Sequence, residues 1–532
     1  MTIKVVASGK ALEAAQNYVS QLVADKVASR ISQKDFTLWG KEAEAESSIR
    51  LGWTTSAADS QSLVADILEL KAEFAKAGVN RFVLCGMGGS SLAPEVITKT
   101  SGVELVVLDA TDPDQINQAL SGDLARTAIV VSSKSGSTVE TDSQKRVFER
   151  AFTEAGIPAS ERIVIVTDPG SPMEAAAKAD GYRILNADPQ VGGRYSALTA
   201  FGVVPSGLAG ADIRSLLQEA EAAGLEFAKD SESNPALILG ATLAKTVSST
   251  GFKDKVGIIS DSTRIKGFGD WAEQLIAEST GKIGKGILPI VLEPQSHEVE
   301  ALLDDVLLVR VVADATTAIN DEVSVSGSLG EQFLLWEYAT VIASRLIGIN
   351  PFDQPDVESA KVAARAMLTE RAVIAEPVFI DGTVEVRAQS LDISAAKTVA
   401  EAIKLLLARL GSESYLSVHA YLDRTSVPEA QDLREILAEK TNRPTTFGWG
   451  PRFLHSTGQY HKGGPKQGVY LQLLTKNEAD VSVPGREFSF GELIASQAAG
   501  DAKVLADHGV SVLTLTLGNL KADLDSIFAI LR

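Results

Sequence analysis

Short runs of β-forming residues alternate with helix-length segments between residues 82 and 168, and this alternation restricts the fold more than any other feature of the sequence. A parallel sheet needs a long crossover between successive strands, and the intervening segments have that length. The pattern therefore predicts a parallel sheet with crossover helices. The runs are FVLC (82–85), ELVVLD (104–109), AIVV (128–131) and RIVIVTD (162–168).

The same alternation restarts near residue 235 and again after a break around residues 372–390. Amphipathic helices are predicted over 11–31 and 58–77, where apolar residues recur at helical spacing. The sequence thus predicts two tandem α/β units followed by a third. The predicted domains are an N-terminal helical segment (1–50), a first α/β domain (51–225), a second (226–370) and a C-terminal α/β domain (371–532).

Composition excludes several classes of function. The chain has 532 residues and a formal charge of -19, so its surface as a whole repels nucleic acid and anionic membranes. The single cysteine, Cys85, excludes a disulfide framework and a cysteine-rich metal site. No signal peptide and no stretch of roughly 18 apolar residues is present, so we expect a soluble cytoplasmic protein.

Two turns rich in glycine and serine follow predicted strands of the first sheet. LCGMGGSSLAPEV (84–96) contains Gly88, Gly89 and Ser90, and its glycines allow a sharp turn and close approach to a ligand. By itself this stretch could equally be an ordinary strand-to-helix turn. It lacks the third glycine of a dinucleotide-binding fingerprint.

The second turn, VSSKSGSTVET (131–141), could be read as a flexible linker or as an anion pocket. A linker is not expected between a buried strand and a helix of one α/β unit. Hydroxyl groups, helix N–H groups and one lysine suit the oxygens of a phosphate. Two such turns at the carboxyl ends of strands in one sheet favour a phosphate site. The residues concerned are Ser133, Lys134, Ser135 and Thr138.

Four further stretches are unusual: VGGRYS (191–196), EQLIAESTGK (273–282), NPFDQPDVESAK (350–361) and GPRFLHSTGQYHKGGP (450–465). Alone, Arg194 and Glu278 would be read as surface residues. Neither HExxH, nor a CxxC pair, nor a Walker lysine occurs, so no metal site or P-loop is predicted.

Taken together and in this order, these motifs resemble those of the phosphoglucose isomerase family over about residues 40–365. The resemblance is strongest to a divergent bacterial branch in which the isomerase is sometimes fused to a transaldolase, and whose C-terminal unit carries a similar HSTGQ stretch. It implies two sugar-isomerase (SIS) domains, each a doubly wound parallel-sheet α/β/α sandwich, plus the C-terminal α/β unit. It also implies an enzyme without a cofactor, in glycolysis and gluconeogenesis, and a homodimer.

The resemblance also implies a role for each matching residue. Gly88, Gly89 and Ser90 match the first turn, and Ser133, Lys134, Ser135 and Thr138 match the phosphate loop. Gly193 and Arg194 match a Gly-Arg pair near the reacting carbons, Gln274 and Glu278 match a glutamine and the general base, and Gln354 and Lys361 match the second signature. Three positions depart from the family pattern: Gly136 replaces a bulkier residue, Val139 a glutamine and Asp356 a glycine.

The implied reaction interconverts glucose 6-phosphate and fructose 6-phosphate. One carboxylate, Glu278, moves a proton between C2 and C1 through a cis-enediol, and Arg194 stabilises the negative charge on the enediolate. Lys361 and a histidine would open the sugar ring. His455 is the first candidate for that histidine, His461 the second and His297, in the family's usual interval, the third.

Two alternative functions remain open on sequence. A non-catalytic sugar-phosphate sensor would keep the serine-rich loop but has no need of Glu278, Arg194 and Lys361 together, and its usual DNA-binding module does not fit the acidic charge. A dual phosphoglucose/phosphomannose isomerase would carry the same residues.

The expected dimer depends on the source of the ring-opening histidine. A histidine supplied by the same chain would remove one reason for subunits to share a site.

Overall fold

The computed structural model describes residues 3–356, 376–476 and 479–532, whose strands form three sheets. Within these ranges no helix has the length and apolar character needed to cross a membrane. After strand β1 (Lys4–Ala7), the first sheet is formed by β2 (Arg81–Gly86), β3 (Val106–Leu108), β4 (Thr127–Ser132), β5 (Ile163–Thr167) and β6 (Arg183–Asn186).

The first sheet is entirely parallel, in the order β3-β2-β4-β5-β6. Alternate residues of each strand face opposite layers of helices. Val83 and Ile129 pack with Phe148 on one face, whereas Leu84 and Val130 belong to the core that contains Ile67 on the other. This produces the predicted three-layer sandwich. The helices before and around it are α1 (Gly9–Ala24), α2 (Val27–Ser32), α3 (Glu44–Ser47), α4 (Ser56–Asp59), α5 (Leu63–Lys76), α6 (Leu92–Ser101), α7 (Pro113–Leu120), α8 (Val139–Glu154), α9 (Pro172–Asp180), α10 (Ala200–Ala209) and α11 (Ile213–Phe227).

The second sheet repeats this architecture in the order β1-β10-β9-β7-β8. Its strands are parallel except for β1 at the edge. The elements are α12 (Pro235–Lys245), β7 (Lys255–Ser260), α13 (Phe268–Thr280), β8 (Leu288–Leu292), α14 (His297–Glu300), β9 (Val306–Val311), β10 (Val323–Ser326) and α15 (Leu329–Ile347).

The N-terminal segment differs from the helical segment predicted for residues 1–50, since it also contains β1. Lys4 to Ala7 pair antiparallel with Ser326 to Val323, more than 300 residues away. A four-residue run with β-branched Val5 and Val6 suits a sheet edge, but its pairing depends on a strand that no local pattern connects to it.

The C-terminal unit contains the third sheet, of order β11-β12-β16-β15-β13-β14, in which β13 to β16 are parallel. The predicted fold class, two tandem doubly wound sheets plus a C-terminal α/β unit, is confirmed. The elements are β11 (Phe379–Asp381), β12 (Val384–Gln389), α16 (Val399–Leu407), β13 (Tyr415–Tyr421), α17 (Leu433–Thr441), β14 (Thr445–Trp449), α18 (Gly458–Gly463), β15 (Gly468–Thr475), α19 (Phe490–Asp507), β16 (Val512–Leu517) and α20 (Leu520–Leu531).

The C-terminal unit is docked on the other two by a buried ion cluster. Arg452, just after β14, lies 2.5 Å from Glu95 on α6 and 3.3 Å from Asp109, and Arg424 pairs with the same two carboxylates. Arg452 also lies 3.5 Å from Asp270 on α13. These contacts bring the segment that carries His455 against the first and second sheets.

Candidate active site

The Gly-Gly-Ser turn lies at the carboxyl end of β2 and is packed against the Gly-Gly-Arg stretch. Gly88 has a φ of +55°, and a Cβ atom on Gly89 would lie 2.0 Å from the carbonyl oxygen of Gly193. The hydroxyl group of Ser196 donates to the carbonyl oxygen of Gly89. The backbones can approach this closely because neither glycine has a side chain.

Gly88 also contacts two further parts of the candidate site, helix α13 and the C-terminal unit. A Cβ atom on it would lie 2.6 Å from the carbonyl oxygen of His455 and 2.9 Å from Nε2 of Gln274. Gln274 itself donates to that carbonyl oxygen over 2.8 Å. One glycine turn therefore contacts the predicted glutamine of α13 and the predicted histidine of the C-terminal unit.

Arg194 and Glu278 form a buried pair. Nη1 of Arg194 lies 3.3 Å from Oε2 of Glu278 and donates to Oε1 of Gln354 over 2.8 Å. Nη2 donates to the carbonyl oxygens of Pro351 and Asp353. Three of the sequence motifs thus converge on one guanidinium group, which is 3% exposed.

Lys282, four residues after Glu278, supports the same loop and was missed by the sequence analysis. Its ammonium group donates to the carbonyl oxygens of Asn350 and Asp353 and to the side chain of Asp353. Burial, followed by the charge of Arg194, lowers the pKa of Lys282 to about 8. Arg194 and Lys282 therefore fix the 350–354 loop from two sides. The ESTGK motif already contained this lysine, but only its buried position indicates a function.

The predicted phosphate loop begins after Ser132, which pairs with Gly86 of β2. Both serine-rich turns therefore lie side by side at the carboxyl ends of the strands of the first sheet. The hydroxyl groups of Ser133 and Thr138 lie 3.1 Å apart, and Ser133 accepts from the N–H of Gly136. Gly136 has a φ of +69°, and a Cβ atom there would lie 2.5 Å from Cβ of Met173. This explains why the bulkier residue of the family is absent at Gly136.

Lys134 and Ser135 differ in their surroundings. The ammonium group of Lys134, which we expected to hold phosphate, lies 2.5 Å from Oδ2 of Asp168 at the end of β5. Ser135 is exposed, and its hydroxyl group lies 2.8 Å from that of Ser137. The lysine would have to exchange a carboxylate partner for the phosphate.

His455 faces the first sheet and contacts a residue that was not predicted. Its Nε2 lies 2.9 Å from Oε1 of Glu140, which lies in the first turn of α8 directly after the phosphate loop. The amide group of Gln497 on α19 donates to the same oxygen over 2.7 Å. The VET of the loop motif contained Glu140, but only the folded chain joins it to a histidine.

The other two candidate histidines lie elsewhere. His461 is 6% exposed in the C-terminal core, where its ring packs against Tyr415, His419 and Tyr470. Burial lowers the pKa of His461 well below its usual value, followed by the effect of His419. His297 begins α14, with its ring 2.8 Å from Oδ1 of Asn442. The structure therefore brings His455, and neither His461 nor His297, to Gln274 and Gly88.

The end of the second signature is described only in part. Lys361 lies outside the described residues. Asp356, where the family has glycine, donates its N–H to Oε1 of Gln459, whose amide group donates to Gly281 just after α13 and back to Asp356. The C-terminal unit thus contacts the chain just after Glu278 and just after Gln354.

This arrangement suits proton transfer on a small anionic substrate. A carboxylate beside a permanently charged guanidinium group can move a proton while that cation stabilises negative charge on a neighbouring oxygen. Hydroxyl groups and the start of α8 at the adjacent strand end suit an anion. A carboxylate-paired histidine on a third side suits a second proton transfer.

Comparisons with known proteins identify the family of this chain. The family model for phosphoglucose isomerase matches residues 69–287. A probable glucose-6-phosphate isomerase from Haloarcula marismortui is 30% identical over 343 residues, which are 54% of this chain and 78% of that protein. A glucose-6-phosphate isomerase from a Synechococcus species is 28% identical over 387 residues, which are 58% of this chain and 72% of that protein.

Two solved structures share the fold. A hypothetical protein from Thermus thermophilus aligns with a TM-score of 0.58 and 24% identity, over 68% of this chain and 99% of its own. A glucose-6-phosphate isomerase from Chlamydia trachomatis aligns with a TM-score of 0.55 and 20% identity, over 66% and 85% of the two chains. The family-model match ends before Gln354, Lys361 and His455.

Proposed function

Because the chain belongs to the phosphoglucose isomerase family, we propose that it is the enzyme that interconverts glucose 6-phosphate and fructose 6-phosphate. The observation that carries this proposal is the buried contact between Arg194 and Glu278, 3.3 Å apart and beside Gln274 and Gln354. A protein that only bound a sugar phosphate would gain little from burying this pair, since burial costs free energy.

In the proposed mechanism Glu278 takes a proton from C2 of the open-chain aldose and returns it to C1. The intermediate is a cis-enediol, and the negative charge that grows on its oxygen is stabilised by Arg194, whose guanidinium group is already fixed by three acceptors. Fixed acceptors keep the cation in place without reorganisation during the reaction.

The phosphate group would be held by Ser133, Ser135, Thr138 and the start of α8, with Lys134 moving from Asp168 to the phosphate. Ser90 and its glycine turn would lie beside this loop, because β2 and β4 are neighbours. Binding energy from the phosphate would keep the reacting carbons near Glu278.

Ring opening needs a proton donor and acceptor at O5 and O1. We assign one of them to His455, whose ring is oriented by Glu140, and the other to Lys361. Since His455 reaches Glu140 within one chain, this site would need no histidine from a second subunit.

A coupled assay on wild type and Glu278→Gln tests the proposal. We expect wild type to form glucose 6-phosphate from fructose 6-phosphate and the variant to lose at least about 100-fold in kcat. Glu273→Gln is the matched control on the same helix. Burial, followed by the charge of Asp270, raises the pKa of Glu273 well above its usual value. Glu273 lines a separate cavity with Asp270 and Arg452, so its variant should keep full activity.

Two results would contradict the proposal. An inactive wild type would exclude the reaction itself. A Glu278→Gln variant that stays within about tenfold of wild type, or roughly 1.4 kcal/mol of barrier, would exclude Glu278 as the proton shuttle. Mannose 6-phosphate, assayed in parallel, separates this function from a dual phosphoglucose/phosphomannose isomerase.

A further inference from the structure

A glutamine of the C-terminal unit completes the contact between His455 and Glu140. Gln497 lies on α19 and is 3% exposed. Its amide group donates to Oε1 of Glu140 over 2.7 Å, and its carbonyl oxygen accepts from the hydroxyl group of Thr111 over 2.8 Å. Thr111 and Glu140 belong to the first sheet's unit, whereas His455 and Gln497 belong to the C-terminal unit.

We propose that Gln497 is a positioning residue for ring opening, which holds the carboxylate of Glu140 against His455 and moderates its charge. The inference rests on the proposed function, because it assigns Gln497 to the step in which His455 acts. It concerns a residue that contacts neither the sugar nor the phosphate in that mechanism.

The orientation of the glutamine is determined by its partners. An ionised carboxylate can only accept hydrogen bonds, so Gln497 must present its NH₂ group to Glu140. Its carbonyl oxygen then faces Thr111, whose hydroxyl group is a donor for it. Both polar ends of the side chain are therefore used, and the buried amide group cannot rotate without losing a bond on each side.

The shared acceptor gives Gln497 a chemical effect as well as a structural one. Oε1 of Glu140 accepts from Gln497 and contacts Nε2 of His455. Hydrogen bonds to a carboxylate stabilise its charge and weaken its pull on a neighbouring imidazole proton. Without the glutamine donor, Glu140 should bind that proton more strongly and also lose one of the hydrogen bonds that orient it.

The other charged groups around this contact already have partners. One turn along α19 from Gln497, Asp501 pairs with Lys462 over 2.7 Å and lies 3.3 Å from His419. On the segment before His455, Arg452 is held by Glu95, Asp109 and Asp270. Asp112 follows Thr111 and accepts from the N–H groups of Asp114 and Gln115. A substitution at Gln497 therefore changes the environment of Glu140 first.

The deciding experiment compares a cyclic with a permanently open substrate in the full-length enzyme. Fructose 6-phosphate must be opened, whereas 5-deoxyfructose 6-phosphate lacks the hydroxyl group that closes its ring. We expect Gln497→Leu to lower kcat at least about tenfold on fructose 6-phosphate and less than about threefold on the 5-deoxy substrate. A purely structural defect would lower both rates by the same factor.

A second variant keeps the test decisive if Gln497→Leu folds poorly. Gln497→Glu preserves the shape, and when protonated the new carboxyl group can donate to Glu140 as the amide did. When ionised it repels Glu140. Its rate on fructose 6-phosphate relative to wild type should therefore fall as pH rises, while its relative rate on the 5-deoxy substrate should stay flat.

Gln472→Leu is the matched control, because Gln472 is another buried glutamine of the C-terminal unit, with bonds to Asp501 and Thr514. It should lower thermal stability without changing the ratio of the two rates. Equal losses on both substrates for Gln497→Leu, or no loss on either, would overturn the inference.

The outcomes of the two proposals are separable. An inactive wild type, or a His455→Ala variant with normal turnover of fructose 6-phosphate, would defeat the proposed function or its histidine. If wild type is active, His455→Ala is impaired and the Gln497 variants match wild type on the two substrates, only the role of Gln497 is wrong.

Discussion

Nη1 of Arg194 lies 3.3 Å from Oε2 of Glu278, and both side chains are buried. The same guanidinium group donates to Gln354, Pro351 and Asp353. Since a lysine carries a single ammonium group, it cannot satisfy these acceptors in the planar arrangement of a guanidinium group. We therefore expect that a positive charge at position 194 does not support catalysis unless a guanidinium group carries it.

For Arg194→Lys we expect kcat to fall by about 10² to 10³, the loss typical for removing a fixed donor to a developing oxyanion. Steady-state kinetics on fructose 6-phosphate would measure it. Arg345→Lys is the control, because Arg345 is a half-buried arginine that pairs with Asp25, away from the site. Activity within about threefold of wild type for Arg194→Lys would show that the guanidinium geometry is not required.

The contact between Gly89 and Gly193 predicts a steric effect. In Gly89→Ala the new methyl group would lie 2.0 Å from a backbone carbonyl oxygen, so one of the two turns must move. We expect a loss of about 1–3 kcal/mol of stability and at least a tenfold fall in kcat/KM, because the turn also contacts the segment of Gln274 and His455. Thermal unfolding and kinetics would measure both.

Gly251→Ala is the comparison for that variant, because a Cβ atom on Gly251 meets no atom within 4 Å. It should retain wild-type stability within about 0.5 kcal/mol. If both alanine variants behave alike, the close approach of Gly89 and Gly193 does not restrict the site.

Local patterns in the sequence predicted the sheets well. The runs at 82–85, 128–131 and 255–260 became β2, β4 and β7 with shifts of at most two residues, because buried parallel strands are continuous apolar runs. The short strands β1, β6 and β10 were not predicted. β1 and β6 are edge strands without a fully buried residue, and β1 and β10 pair with each other across more than 300 residues.

Candidate site residues could be identified from the sequence where a motif concentrates unusual residues, as in the two serine-rich turns. The partners of those residues were not, because they arise from contacts between distant segments. Glu140 meets His455 across 315 positions and Gln497 across 357. The pairing of Lys134 with Asp168 could not be predicted either, since each residue alone looks like a solvated charge at the end of a strand.

Lys282 predicts a specific dependence of stability on pH. Its pKa is lowered from 10.5 to about 8, chiefly by burial and then by Arg194. Between these values the unfolded chain binds a proton that the folded chain does not, so stability should rise as the pH is raised from about 8 towards 10.5. From pH 8 to 9.5 the gain is about 2 kcal/mol.

Denaturant unfolding of wild type and Lys282→Met at several pH values in this range would measure that gain. The variant lacks the titrating group, so its stability should vary less with pH by about that amount. A variant whose pH dependence is parallel to that of wild type would show that Lys282 titrates normally in the folded protein.

The ion cluster of Arg452 predicts how firmly the C-terminal unit is docked. Burial alone would raise the pKa of Glu95, but the charges of Arg452, Arg424 and Lys99 hold it well below its usual range. This stabilisation is complete above the pKa of an unfolded glutamate, about 4.3, and is lost as the pH falls below it.

Arg452→Met leaves buried carboxylates without their main partner and should cost about 3–5 kcal/mol of folding stability at pH 7. Lys503→Met, which breaks an exposed pair with Asp507, should cost less than about 1 kcal/mol. Below about pH 4.3 the unfolded chain, and Glu95 of the variant without its main partner, take up a proton that folded wild type does not. The difference between wild type and Arg452→Met should therefore shrink towards pH 3, and a pH-independent difference would exclude Glu95 as the group responsible.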